Sequence, residues 1–151
     1  MPEQKIEFGI KDIRLTEFFV DESKKKPSDL NLNYRTDIHL EIPQNILRVS
    51  IAPAFSDKVS NETFMRGKVE TVFSIKEMKT YTRVRDDGRE IMDFPEHFWV
   101  ALFSISFSHT RALMAHSAGR SAYDEFLLPV INPTEEFRKL FAQQLQKNSD
   151  T

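Results

Sequence analysis

A long, almost uncharged segment in the last third of the chain constrains the fold most. Across residues 97–118 the only residue with a formal charge is Arg111. Pro95 fits the first position of a helix, and Gly119 is placed to end one. The sequence therefore predicts a helix over about residues 95–118.

This predicted helix carries large apolar side chains on nearly every side, and a helix that is apolar all round must be covered all round. One face of a sheet covers only one side, so the simplest remaining cover is a second copy of the chain. Small residues would allow a partner to approach closely: Ala101, Ser104, Ser108, Ala112 and Ala115. We therefore expect self-association through Trp99, Phe103, Ser104, Phe107, Ser108 and Arg111.

The N-terminal segment alternates between apolar and polar residues, as a strand with one buried face does. Phe8 and Ile10 lie on one parity, whereas Ile13 and Leu15 continue on the opposite one. This change of phase across residues 11–12 predicts a single strand with a β-bulge rather than two strands.

Three further strands are predicted from alternating apolar positions at residues 32–42, 47–51 and 69–75. Clean alternation favours antiparallel strands with one solvated face. We expect a four-stranded sheet of Greek-key type within about residues 5–79. Its solvated face would carry three charges of each sign and be close to neutral: Arg35, Asp37, Glu41, Arg48, Lys68 and Glu70.

The connection over residues 80–94 has two interpretations. Asp87-Gly88, between two short apolar-polar segments, is typical of a two-residue hairpin turn. The alternative is a long polar connection that contains a turn.

A second helix is predicted over about residues 133–147. Asn132 suits its N-cap, Pro133 its first position, and Glu135 completes a capping-box pattern. The fold class is therefore α+β, with one domain over residues 1–151 in which a sheet precedes two C-terminal helices.

Composition narrows the range of functions. The chain has no cysteine, which excludes disulfides, thiol catalysis and zinc-thiolate sites. A net charge of −2 differs from the strongly basic charge that is typical of proteins that bind nucleic acid. The N-terminus does not resemble a signal peptide, and the uncharged stretch at residues 98–110 is shorter than the ~20 residues that span a bilayer. We expect a cytoplasmic protein with no nucleic-acid partner and no direct membrane insertion.

No catalytic or metal-binding pattern stands out. The four histidines include no pair spaced four apart, as metal ligands on one helix face are: His39, His97, His109 and His116. A glycine-rich phosphate loop and a Gly-x-Ser-x-Gly nucleophile elbow are both absent. Asp86-Asp87 is most simply a turn. We therefore expect no enzymatic activity, no cofactor and no metal site.

Several segments, taken in order, resemble the SecB family of protein-export chaperones from Ile6 to about Gln144. The correspondences are Leu47-Arg48-Val49, Phe73-Ser74-Ile75, the pair Phe107 and Arg111, and the stretch from Phe126 to Asn132 before Phe137.

The resemblance implies a homotetramer, a dimer of dimers whose first helices lie between sheets. It also implies an ATP-independent holdase, without cofactor, that binds unfolded client polypeptides in apolar grooves. An excess of phenylalanine, 13 against 3 tyrosines and 1 tryptophan, suits such a groove. The expected polypeptide-binding residues are Phe18, Phe19, Tyr123, Phe126, Leu128, Val130 and Phe137. For Leu128 and Phe137, the alternative is that they only cover the core.

Two departures from the family leave the partner open. Residues 16–21 lack the proline of the family's aromatic-acidic-proline signature, and the near-neutral sheet face differs from the acidic face that docks the export motor ATPase. The hypotheses are a holdase partnered with the export motor ATPase, a chaperone of an antitoxin, and a module of the same fold that binds a small ligand or lipid.

Overall fold

Four long antiparallel strands form one sheet in the computed structural model, which describes residues 5–21, 29–119 and 131–140. The strands are β1 (Phe8–Val20), β2 (Leu30–Glu41), β3 (Ile46–Asp57) and β4 (Thr63–Ile75). Their order across the sheet is β1-β4-β3-β2, so β2, β3 and β4 form consecutive hairpins and β1 lies beside β4. This arrangement is a Greek key, and the predicted α+β fold class is confirmed.

β1 is a single strand with the predicted bulge. Ile10 pairs with Phe73 and Asp12 with Val72, so that Lys11 is the extra residue. A second register shift follows Leu15, which the sequence did not predict. The first bulge adds one residue to β1. Ile13 therefore lies on the same face of the sheet as Phe8 and Ile10, although its sequence position has the opposite parity.

One face of the sheet, called here the helix face, packs against α1 (Glu96–Ala118). The opposite face is called the outer face. Six core residues shared by β3, β4 and α1 are at most 1% exposed: Leu47, Ile51, Val69, Phe73, Leu102 and Phe103. At Gly67 of β4 the helix comes so close that a Cβ would lie 2.1 Å from Met114 Sδ. Apolar burial on this face therefore positions α1 on the sheet.

Hydroxyl groups on α1 are satisfied within the helix. Ser106 Oγ donates to the Leu102 carbonyl and Thr110 Oγ1 to the Ser106 carbonyl, both at 2.8 Å. Both residues are buried. Because these hydroxyls need no outside partner, the almost uncharged helix can be buried at low cost.

A second helix, α2, is described over residues 133–140. Asn132 Oδ1 accepts hydrogen bonds from the backbone N–H groups of Thr134 (3.1 Å) and Glu135 (3.2 Å), as expected of an N-cap. Arg138 donates to Glu96 Oε1 at 2.8 Å and ties α2 to the start of α1. The remainder of the predicted helix, residues 141–147, lies outside the described residues.

The connection after β4 contains a short hairpin, β5 (Thr82–Val84) and β6 (Glu90–Met92). The hairpin interpretation is therefore confirmed, but the turn is displaced by one residue. The Gly88 N–H donates to the Arg85 carbonyl at 2.9 Å, which places two aspartates at the centre of the turn. Gly88 follows them with φ +84°, a conformation that glycine adopts without strain.

Candidate functional site

The helix face is wider than the single helix that covers it. The axes of four strands span about 14 Å, and the side chains of the two edge strands extend further, whereas a helix with its side chains is about 10–12 Å across. α1 lies over β4 and β3, at the centre of the sheet, and extends toward β1, where the Phe8 ring contacts the Phe98 ring at 5.2 Å. Apolar residues on the two edge strands are therefore incompletely covered.

On β1 these residues form an exposed apolar row, the β1 strip. Its members are Phe8 (39% exposed), Ile10 (48%), Ile13 (40%) and Leu15 (36%). They pair with buried residues of β4, so all four lie on the helix face. Single exposed apolar residues are common on protein surfaces, whereas a contiguous row is a candidate interaction surface.

On β2 the uncovered residues form a half-buried apolar row, the β2 track: Leu30, Leu32, Tyr34, Ile38 and Leu40. Alternate residues on one face of a strand are about 6.6–6.8 Å apart, and the eleven residues from Leu30 to Leu40 span about 33 Å. Near its centre, the Tyr34 ring lies 5.5 Å from the Phe107 ring of α1. The track is long enough to accommodate an extended peptide.

The side of α1 that faces away from the sheet is lined by small residues: Ala101, Ser104, Ser108 and Ala112. Ser108 and Ala112 are exposed, and the other two are half-buried. Ser108 Oγ donates to the Ser104 carbonyl at 2.9 Å, so this polar group is satisfied within the helix. The surface is smooth and carries no charge.

The residues predicted to bind polypeptide do not form one cluster among the described residues. Phe18 is half-buried on the helix face, opposite Gly67, whereas Phe19 is on the outer face with the Arg66 guanidinium 5.1 Å from its ring centre. Phe137 is only 6% exposed and packs against Phe103, so it covers the core in the free protein. Four further predicted residues lie outside the described residues: Tyr123, Phe126, Leu128 and Val130.

The predicted interface residues separate into two groups. Phe103 and Phe107 are 1% and 4% exposed within the chain itself, so they have almost no surface left for a partner. The other four keep surface, with Ser108 exposed and Trp99, Ser104 and Arg111 half-buried. The burial of the two phenylalanines comes from α2 and β2, which cover flanks of α1 that the sequence assigned to a second copy.

Charges on the outer face are largely paired with one another. The Arg48 guanidinium lies 3.4 Å from Glu41 and 3.1 Å from Glu70, and these carboxylates raise the pKa of Arg48. Arg66 pairs with Glu17 at 2.9 Å. The six charges predicted for the solvated face do share it, so the face offers no strong field of either sign.

Residues 5–21, 29–119 and 131–140 include no cluster of three or more side chains placed to hold a metal ion. Within the same ranges, no helix combines the length and hydropathy that a membrane crossing requires.

Comparison with known proteins gives a match in structure and none in sequence. Neither the protein-family models nor the curated proteins include a match. Among solved structures, the chain is similar to Rv1957, a SecB-like chaperone from Mycobacterium tuberculosis in complex with a ChAD peptide from the Rv1956 HigA1 antitoxin. The TM-score is 0.57 at 11% identity, over 83% of this chain and 90% of that one.

A second match is a protein of unknown function from Streptococcus agalactiae, at 10% identity over 85% of this chain and 100% of that one. Its TM-score of 0.41 is too low to indicate a shared fold. The similarity to Rv1957 agrees with the four-stranded sheet and the two helices described above. The chain therefore has the fold of the SecB-like chaperones.

Proposed function

We propose that the protein is an ATP-independent holdase that binds unfolded or non-native polypeptides. The observation that carries this proposal is the β2 track, a half-buried apolar row that spans about 33 Å along an edge strand. A non-native chain exposes apolar side chains that are stabilised by burial at ~25 cal/mol per Å². An apolar row of this length can bury several of them without requiring one sequence.

The proposal includes self-association into a homotetramer, built as a dimer of dimers. Two surfaces support it, the exposed β1 strip and the smooth outward side of α1. Both surfaces consist of apolar or small residues, and the β1 strip lies beside α1. A partner chain that packs there would bury the β1 strip and leave the β2 track, at the opposite edge of the sheet, open to clients.

The neutral outer face favours peptide clients of the antitoxin kind over partnership with an export motor ATPase. Arg48 and Arg66 are held by carboxylates of the same face, and the six charges predicted for this face balance in sign, so little net charge remains to attract a charged partner. The structurally similar protein Rv1957 was solved with a peptide from an antitoxin. We propose that this protein likewise takes an antitoxin segment as client in the cytoplasm, with export as the alternative role.

Suppression of aggregation tests the holdase activity. A reduced, unfolded and unrelated protein is diluted into buffer without ATP, and its light scattering is followed with increasing amounts of the protein. We expect scattering to be suppressed at about one assembled oligomer per client chain. Aggregation that continues unchanged at this ratio would contradict the proposal.

A further inference from the structure

The β2 track contains one polar atom without a hydrogen-bond partner. The Tyr34 hydroxyl is buried and makes no hydrogen bond in the described structure. Most buried polar groups in proteins are paired, and an unpaired one lowers stability. A phenylalanine here would fill the same space without this loss of stability. The hydroxyl is therefore a candidate for a functional role.

The surroundings of the phenol are mostly apolar. The Phe107 ring lies 5.5 Å from the Tyr34 ring, and the neighbours of Tyr34 on the same face of β2 are Leu32 and the buried Thr36. Glu136 of α2 is the nearby charged group that acts on the phenol, and it accepts no hydrogen bond from it. Burial, together with this carboxylate, raises the pKa of Tyr34 to about 12, so the group remains a donor at neutral pH.

An extended polypeptide is the ligand that these features fit. Its side chains on one face repeat at the same spacing as the track. Its backbone carbonyls, once taken out of water in an apolar groove, each need a donor. Since every polypeptide has backbone carbonyls, a single hydroxyl donor strengthens binding without selecting a sequence.

We propose that the Tyr34 hydroxyl is the polar anchor of the β2 track and donates a hydrogen bond to a backbone carbonyl of the bound client. This inference rests on the proposed holdase function and adds to it the atom that holds the client backbone. The unpaired hydroxyl lowers the stability of the free protein. Because it is buried there, a client must displace the groups that cover it before the hydroxyl gains its partner.

The substitution Tyr34→Phe tests the inference because it should weaken client binding without lowering the stability of the free protein. In the free protein, removal of an unpaired buried hydroxyl should leave the thermal midpoint unchanged or raise it. Affinity for fluorescently labelled, reduced and carboxymethylated lactalbumin, measured by anisotropy, should fall about 3- to 10-fold because one hydrogen bond is lost. Tyr81→Phe is the matched control, since the Tyr81 ring packs on Phe94 away from the track, and its affinity should equal that of the wild type.

The outcomes separate this inference from the proposed function. If the wild-type protein fails to bind the labelled client, the holdase proposal fails. If the wild type binds and Tyr34→Phe binds equally well, the anchor role is wrong while the holdase proposal stands. A lower thermal midpoint for Tyr34→Phe would also overturn the anchor role, because it would show that the hydroxyl already has a partner within the chain.

Discussion

Replacement of Phe103 with alanine is expected to lower the free energy of unfolding by about 3–5 kcal/mol. The ring is 1% exposed and lies 6.0 Å from the Phe107 ring and 6.4 Å from the Phe137 ring. Its removal leaves a cavity between α1, α2 and the sheet that the rigid strands cannot close. The cost therefore includes both lost burial and the cavity itself.

Urea unfolding at a fixed protein concentration measures this effect, since assembly makes stability depend on concentration. Phe19→Ala is the matched control, because Phe19 is exposed on the outer face and contacts Arg66. It should cost no more than about 1 kcal/mol. If Phe103→Ala cost less than Phe19→Ala, the assignment of Phe103 to the core of the chain would be wrong.

Replacement of Ser108 with glutamate is expected to dissociate the assembly while each chain stays folded. Ser108 is exposed at the middle of the smooth outward side of α1. A glutamate there would take a carboxylate out of water and place a longer side chain against a partner helix, which costs several kcal/mol. In the free chain the same side chain would remain in water, so folding should be little affected.

Sedimentation velocity gives the mass of the assembly, and circular dichroism reports the fold. The control is Ser74→Glu, which adds the same charge at an exposed position of β4 on the outer face. We expect wild type and Ser74→Glu to sediment as the tetramer, and Ser108→Glu to sediment as smaller species with an unchanged spectrum. A Ser108→Glu protein that kept the wild-type mass would place the interface elsewhere.

Much of the fold could be predicted from the sequence because local rules determine it. Alternation of apolar residues predicted the four strands and the bulge near Lys11, and both are observed. Pro95 and Gly119 marked the ends of α1, and Asn132 marked the start of α2. Each of these features depends on neighbours within a few positions along the chain.

The candidate site was harder to predict because it depends on strand order. Alternation shows which residues of a strand are apolar but not whether that strand lies at an edge, since this is set by pairing between distant segments. The uncovered rows on β1 and β2 follow from the order β1-β4-β3-β2. Phe103 shows the same limit, because its burial depends on Phe137, 34 positions along the chain.

Tyr34 illustrates what a sequence pattern omits. Its parity in β2 predicted a buried position, and the structure places its ring beside Phe107. Whether its hydroxyl finds a partner depends on α1 and α2, which pack against it from distant parts of the sequence. Long-range packing therefore determines the chemistry of the track, although local alternation determines its residues.

Photo-crosslinking from adjacent positions of β2 tests most directly whether the β2 track holds clients. Leu32 lies on the helix face within the track, whereas Asn33, the next residue, lies on the outer face. A benzoylphenylalanine is placed at one position or the other, and each protein is irradiated with reduced, carboxymethylated lactalbumin. We predict crosslinks from position 32 and none above background from position 33; equal crosslinking from both positions, or none from position 32, would contradict a client site on the β2 track.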